Sequence, residues 1–186
     1  MRVFITGVSD VGKTTIGKTL AKLLNVKFLD LDEEIESFFD MSIERLQKKF
    51  ITIWGYREAA AKALAHLLSR PDSKDCVVAL PPSRLMGDYL RIIKKSTGTI
   101  IALTDRPENI AKRATFYDID SKPIVKTLTG NEKKLLLSEI KKDITYFGKT
   151  YNRAHLQVDI SGLTMEQSTD KVLEALKMIG KGVEIK

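Results

Sequence analysis

The chain has little of what would make a metal, disulfide or membrane protein. Its 186 residues include one cysteine, two histidines, one tryptophan and five prolines. A lone Cys76 closes no internal disulfide, and Cys76, His66 and His155 lie too far apart in sequence to form a zinc-like cluster. No stretch approaches the roughly 20 consecutive apolar residues that span a bilayer. The opening Met1-Arg2-Val3-Phe4-Ile5-Thr6 has no small-residue cleavage site and runs into a glycine loop, so it reads as a strand. A cytoplasmic protein is expected, with no membrane partner. Aromatic residues are only 7% of the chain, and none is interleaved with the lysines. The formal charge of +7 therefore reads as scattered helix-surface lysines, and no nucleic-acid partner is expected.

What is present is an ordinary globular composition, 43% hydrophobic and 30% charged, enough for one domain over residues 1–186 and a monomer. Short apolar runs alternate with helical patterns. Strands are expected at Arg2–Thr6, Lys27–Asp30, Cys76–Leu80, Thr99–Thr104 and Leu156–Ile160. Helices are expected near 13–25, 32–40, 53–69, 83–95, 107–116, 131–153 and 165–179. Strands separated by helices, with runs such as Val-Val-Ala and Ile-Ile-Ala-Leu that are apolar throughout, imply an α/β fold with a parallel sheet covered on both faces. Two segments break the alternation. Residues 42–51 suggest a short extra helix, and 117–130 a mobile excursion, since long loops in compact domains are usually functional.

Gly7-Val8-Ser9-Asp10-Val11-Gly12-Lys13-Thr14 fits the phosphate-binding pattern of a glycine, four residues and Gly-Lys-Ser/Thr. Gly7 and Gly12 let the backbone approach phosphates, and the N–H groups of Asp10, Val11, Gly12, Lys13, Thr14 and Thr15 can cradle an anion. Lys13 is expected at the β- and γ-phosphates of ATP, and the Thr14 hydroxyl on Mg²⁺. A strand before the loop and an amphipathic helix after it supply the context the motif needs. After the second strand come Asp30 and Asp32. Either could hold a metal-bound water or accept a proton from an attacking hydroxyl, yet acids also favour the first turn of any helix. Spacing alone leaves both readings open.

With these residues in place the chain resembles the shikimate kinase family. The resemblance rests on the phosphate loop, Phe28-x-Asp30-x-Asp32-x-x-Ile35-Glu36, Ser42-Ile43, Tyr56-Arg57-Glu58, the strand Ile100–Leu103 with Pro107-Glu108, and Tyr151 with Ala154 before Val158-Asp159. It implies a three-layer P-loop kinase fold with a five-stranded parallel sheet and a lid near 117–130. It also implies transfer of the γ-phosphate of MgATP to a hydroxyl of shikimate or a related polyol. On that basis Asp32 polarises the acceptor hydroxyl and Asp30 holds a magnesium-bound water. Arg57 pairs with the acceptor carboxylate, and Lys122 of the lid reaches the phosphates.

The sequence also departs from the family. Pro81, Pro82 and Ser83 stand where the family has three glycines, which removes two N–H donors. Phe147 replaces a second arginine, and Lys122-Pro123 replaces Arg-Pro. Three readings follow: a divergent shikimate kinase, a kinase of the same fold with another hydroxylated acceptor, or a non-catalytic nucleotide-binding descendant. Among other residues, Trp54 is expected in the core, Cys76 as a small buried hydrophobe, and Asp105 in the cap region of a helix.

Overall fold

A computed structural model describes residues 1–82 and 85–182, with the side chains of 180–182 left out. The first strand, β1 (Arg2–Thr6), is buried along its whole length. It is followed by α1 (Lys13–Leu23), β2 (Lys27–Asp30), α2 (Leu31–Phe39), α3 (Ile43–Lys48) and α4 (Ile53–Ser69). Next come β3 (Cys76–Ala79), α5 (Gly87–Lys95), β4 (Thr99–Thr104) and α6 (Pro107–Arg113). A short hairpin of β5 (Phe116–Tyr117) and β6 (Pro123–Ile124) leads into α7 (Gly130–Tyr151), β7 (Leu156–Asp159) and α8 (Met165–Gly182).

Five strands form one parallel sheet in the order β2-β3-β1-β4-β7. Parallel strands need crossover helices, which cover both faces and explain the continuous apolar runs of β1 and β3. The register sets the position of the site. Ile5 pairs with Ala79, and Ala79 with Asp30. The end of β1, the end of β3 and Asp30 therefore lie at one level along the carboxyl edge. From β1 the chain crosses to β2 on one side, and from β3 it crosses to β4 on the other, so the crevice between the ends of β1 and β3 is a switch point where ligands of open α/β sheets bind.

Helix α1 buries Ile16, Gly17, Leu20 and Ala21 against the sheet. Gly17 is needed for this approach: a Cβ there would meet the Phe28 ring at 2.6 Å. Arg2, though charged, is buried at the foot of β1, where its guanidinium donates to the Ser73 carbonyl at 2.7 Å and to Ser73 Oγ at 3.1 Å. Cys76 is buried as expected, and its thiol is pushed up chiefly by desolvation. Helix α7 begins at a capping box between Thr129 and Glu132.

Several boundaries differ from the sequence reading. Helix α5 starts at Gly87, not at residue 83, because the chain leaves β3 through Pro81 and Pro82 and Gly87 itself takes φ +52°; Ser83 lies outside the described residues. Helix α6 stops at Arg113, since Ala114 turns to φ −56°, ψ 127° and feeds β5. The 117–130 segment contains β6, and residue 117 closes β5. Trp54 is not in the core. It is 56% exposed, its neighbour Ile53 at the start of α4 is exposed too, and the Trp54 ring edge lies over Gly87.

Candidate active site

The phosphate loop is shaped by backbone demands. Gly7 has φ +150°, and a Cβ there would sit 2.8 Å from both the Leu103 carbonyl oxygen and Val11 Cγ1. Gly12, at φ +111°, forms the turn into α1, whose first N–H groups have no capping side chain. Unpartnered N–H groups at a helix N-terminus, with the positive end of its dipole, form a ready anion site. Asp10 takes the left-handed conformation at φ +57°. Its backbone carbonyl accepts from Arg113 Nε at 3.2 Å and its Oδ1 from the Thr115 N–H at 3.3 Å.

Lys13 folds back over the loop, and Nζ donates to the Val8 carbonyl at 2.8 Å. Desolvation lowers its pKa to about 8, against the pull of Asp32, Asp10 and Asp30. The same desolvation raises the Asp10 carboxyl, opposed by the Thr115 N–H, Lys13 and Arg113. The Thr14 hydroxyl donates to Asp30 Oδ2 at 2.8 Å. The other Asp30 oxygen caps α2 by accepting from the Asp32 N–H at 3.1 Å. Asp30 thus ties the first turn of α1 to the first turn of α2, and Asp32 in that same turn lines the site.

These groups line one cleft of about 560 Å³. Asp10, Gly12, Lys13, Thr14, Thr15, Asp30 and Asp32 form one side, and Ala79, Leu80, Pro81 and Pro82 form the wall. Arg113, Thr115 and Tyr117 close it from the root of the hairpin. Gly7 and Val11 shape the loop from beneath; Val11 is fully buried.

Two expected residues lie elsewhere. Arg57 lines a separate cavity of about 130 Å³ with Trp54, Met86 and Tyr89. Its buried Nε has no hydrogen-bond partner among the described residues. Lys122 is exposed on the hairpin, where its backbone closes a turn with Asp118. Phe147 packs on the core, edge-on to Tyr146. Arg153 is committed to the Leu85 carbonyl at 2.7 Å.

Arg113 was not foreseen. It pairs at 2.5 Å with Asp105, whose side chain is 1% exposed. The helix-cap reading of Asp105 holds only in part: one oxygen accepts from the Arg106 N–H and the Asn109 amide, and the other holds Arg113. An acid at a strand end with an arginine two helical turns later was the available signal. His66 is exposed, and His155 Nδ1 accepts from the Ile100 N–H at 2.8 Å, a structural role.

Among the described residues no group of three or more histidine, cysteine or acidic side chains could cage a metal. The Thr14 hydroxyl and Asp30 carboxylate are nevertheless hard oxygen donors in contact. That set fits Mg²⁺, which takes few protein ligands and keeps phosphate oxygens and waters.

Comparison with known proteins bears on the family and the fold. A family model described as shikimate kinase matches residues 10–177. A shikimate kinase of Chlorobium phaeobacteroides is 32% identical over 178 residues, covering 91% of this chain and 85% of that protein. The crystal structure of shikimate kinase from Bacteroides thetaiotaomicron superposes with a TM-score of 0.75 at 25% identity, covering 95% of this chain and 98% of the other. A shikimate kinase from Acinetobacter baumannii, solved in complex with shikimate, shares the fold with a TM-score of 0.74 at 22% identity, covering 100% and 95%.

Proposed function

The chain belongs to the shikimate kinase family, and from that premise we propose that it moves the γ-phosphate of MgATP to a hydroxyl of shikimate. The observation that carries this reading is a single cleft holding Lys13, Thr14, Asp30 and Asp32 together. The backbone N–H groups of the loop and the α1 N-terminus bind the phosphates. Lys13 neutralises charge on the β- and γ-phosphates, turning to them from the Val8 carbonyl that it holds in the free protein. Thr14 and Asp30 would hold Mg²⁺, which when bound neutralises phosphate oxygens. Asp32 orients the acceptor hydroxyl toward the γ-phosphate and accepts its proton. The apolar wall from Ala79 to Pro82 and the root of the hairpin exclude water, which would otherwise compete as acceptor. The segment 117–130 serves as the lid, with Tyr117 at its root lining the cleft and the exposed Lys122 side chain turning to the phosphates when nucleotide binds.

A second acceptor is favoured by one observation. Arg57 lines a cavity outside the cleft, while Pro81 in the wall has no N–H to offer. An acceptor of the same polyol class without a carboxylate needs neither group. The test is ADP release from MgATP in the presence of shikimate, related polyols and nucleoside monophosphates in turn. Shikimate-dependent release supports the first reading. Release driven only by another polyol transfers the assignment to the second, and release by none defeats both.

A further inference from the structure

The hairpin from Phe116 to Ile124 has almost nothing apolar to hold it. None of residues 116–129 is buried. A two-stranded ribbon is marginal in water without a hydrophobic face to pack. Beyond the half-buried Phe116, which lines a cavity with Leu136 and Leu137, its position rests on polar contacts at its two ends. At the root, Arg113 and Thr115 bind Asp10 of the phosphate loop, as described above. At the tip, the turn 118–122 is organised by Asp118, whose Oδ1 accepts from the N–H groups of Asp120 at 2.8 Å and Lys122 at 2.9 Å.

That turn is docked on the corner between α2 and α3 by three side-chain contacts. Ser42 Oγ donates to the Ile119 carbonyl at 2.6 Å. Arg45 Nε donates to Asp120 Oδ1 at 2.7 Å. Ser121 Oγ donates to Glu36 Oε1 at 2.5 Å, and the same oxygen accepts from the Ile43 N–H at 2.9 Å. Glu36 thus fixes the start of α3 and the hairpin tip together. It stands on the helix whose first turn carries Asp32, one turn from that acid.

We infer that Glu36, Ser42 and Arg45 form a catch for the hairpin tip, and that they are positioning residues which set how long the cleft stays covered. The inference rests on the reading of this segment as a lid over a nucleotide site. Physically, the catch makes α2 a strut: the acceptor-side acid sits at one end of it and the lid's anchor further along. Closure over the nucleotide is then fastened to the acceptor side of the cleft rather than to the phosphate loop alone. The three contacts are partly exposed, so the catch is weak enough to release, which a lid that must open each turnover requires.

Arg45 and Asp120 are the safest pair to alter, since both side chains are about half exposed and neither supports the core. Arg45→Glu and Asp120→Lys are made singly and together, and amide hydrogen exchange is read across 117–124 in the protein without ligand. Each single change should speed exchange there by about three- to fivefold, the scale of a surface ion pair replaced by repulsion. Each should also raise the dissociation constant of ATP while leaving the thermal midpoint in place. The double variant, which restores the pair with reversed sign, should return exchange to within about twofold of the parent. Singles that exchange like the parent, or a double variant that exchanges faster than either single, overturn the catch. The exchange measurement needs no turnover, so it stands apart from the functional reading. A failed catch in a protein that transfers phosphate refutes the catch alone, and absent phosphate transfer with a restored double variant refutes the reaction alone.

Discussion

On the nucleotide side of the cleft one continuous stretch, residues 7–15, supplies the loop, the lysine and the hydroxyl. On the acceptor side the parts come from the start of α2, the exit of β3 and the root of a hairpin, while Arg57 stands in a neighbouring cavity on α4. The first kind of site is dictated by the backbone: two glycines at positive φ and a helix N-terminus leave few alternatives. The second exists only once the sheet register brings Ala79 beside Asp30. A contiguous site tolerates divergence elsewhere in the chain, whereas an assembled one can change its ligand by exchanging single side chains. In this chain the exit of β3 presents Pro81 and Pro82 to the cleft.

If the nucleotide side is as self-contained as this contrast holds, Lys13→Ala should be the most damaging change. Turnover should fall by roughly a hundred- to a thousandfold, the cost of removing one charge stabiliser, with ATP affinity measured by calorimetry falling as well. Equal ATP affinity in variant and parent would break the assignment. Asp32→Asn separates the two sides more sharply. Turnover should drop by about a hundredfold, as expected for a lost proton acceptor, while ATP affinity stays within a few fold. Asp30, not Asp32, caps α2, so undiminished turnover would mean that Asp32 only complements the helix dipole in the first turn.

Arg57→Ala probes the acceptor side by itself. Should Arg57 reach the acceptor carboxylate on closure, the KM for shikimate should rise about tenfold or more, as for one charge-assisted contact of about 1.5–3 kcal/mol. An unmoved KM would leave Arg57 as a structural group of its own cavity and favour the acceptor without a carboxylate. The smallest effect is a proton. The Lys13 pKa in the free protein is lowered to about 8, and bound phosphates pull it up again. Binding of ATP near pH 8 should take up a fraction of a proton, seen as a heat that differs between buffers of different ionisation enthalpy, and Lys13→Met should abolish it. In the free protein the unfolded chain, with its lysine near the usual value of about 10.4, binds more protons than the native state between about pH 8 and 10.4. The Lys13 contribution to stability should therefore rise with pH across that window, and the full cost is present below it.

The fold was legible because β1, β3 and β4 carry continuous rather than alternating apolar runs, as a sheet covered on both faces requires. The loop Gly7–Thr15 was legible because its chemistry lies in consecutive backbone groups. The hairpin strands, two residues each, are too short to carry a period-two pattern, so the region read as an irregular excursion. Trp54 looked like core because its size is usually buried, yet α4 buries residues only from Tyr56 onward and leaves Ile53 and Trp54 exposed, which no local pattern encodes. Arg113 was passed over for a related reason. Its meaning lies in contacts with Asp10 and Asp105, both distant in sequence or two turns away, and a lone arginine at a helix end reads as a solvated dipole partner.

The central claim, that this cleft transfers the γ-phosphate of ATP to the acceptor its family is named for, is tested most directly by phosphorus NMR of the protein with MgATP and shikimate. The account predicts that the γ-phosphate resonance declines as a phosphomonoester resonance appears in equal measure, and that neither change occurs with Lys13→Ala. Growth of inorganic phosphate alone, or an unchanged spectrum from an enzyme that phosphorylates a different polyol, would contradict it.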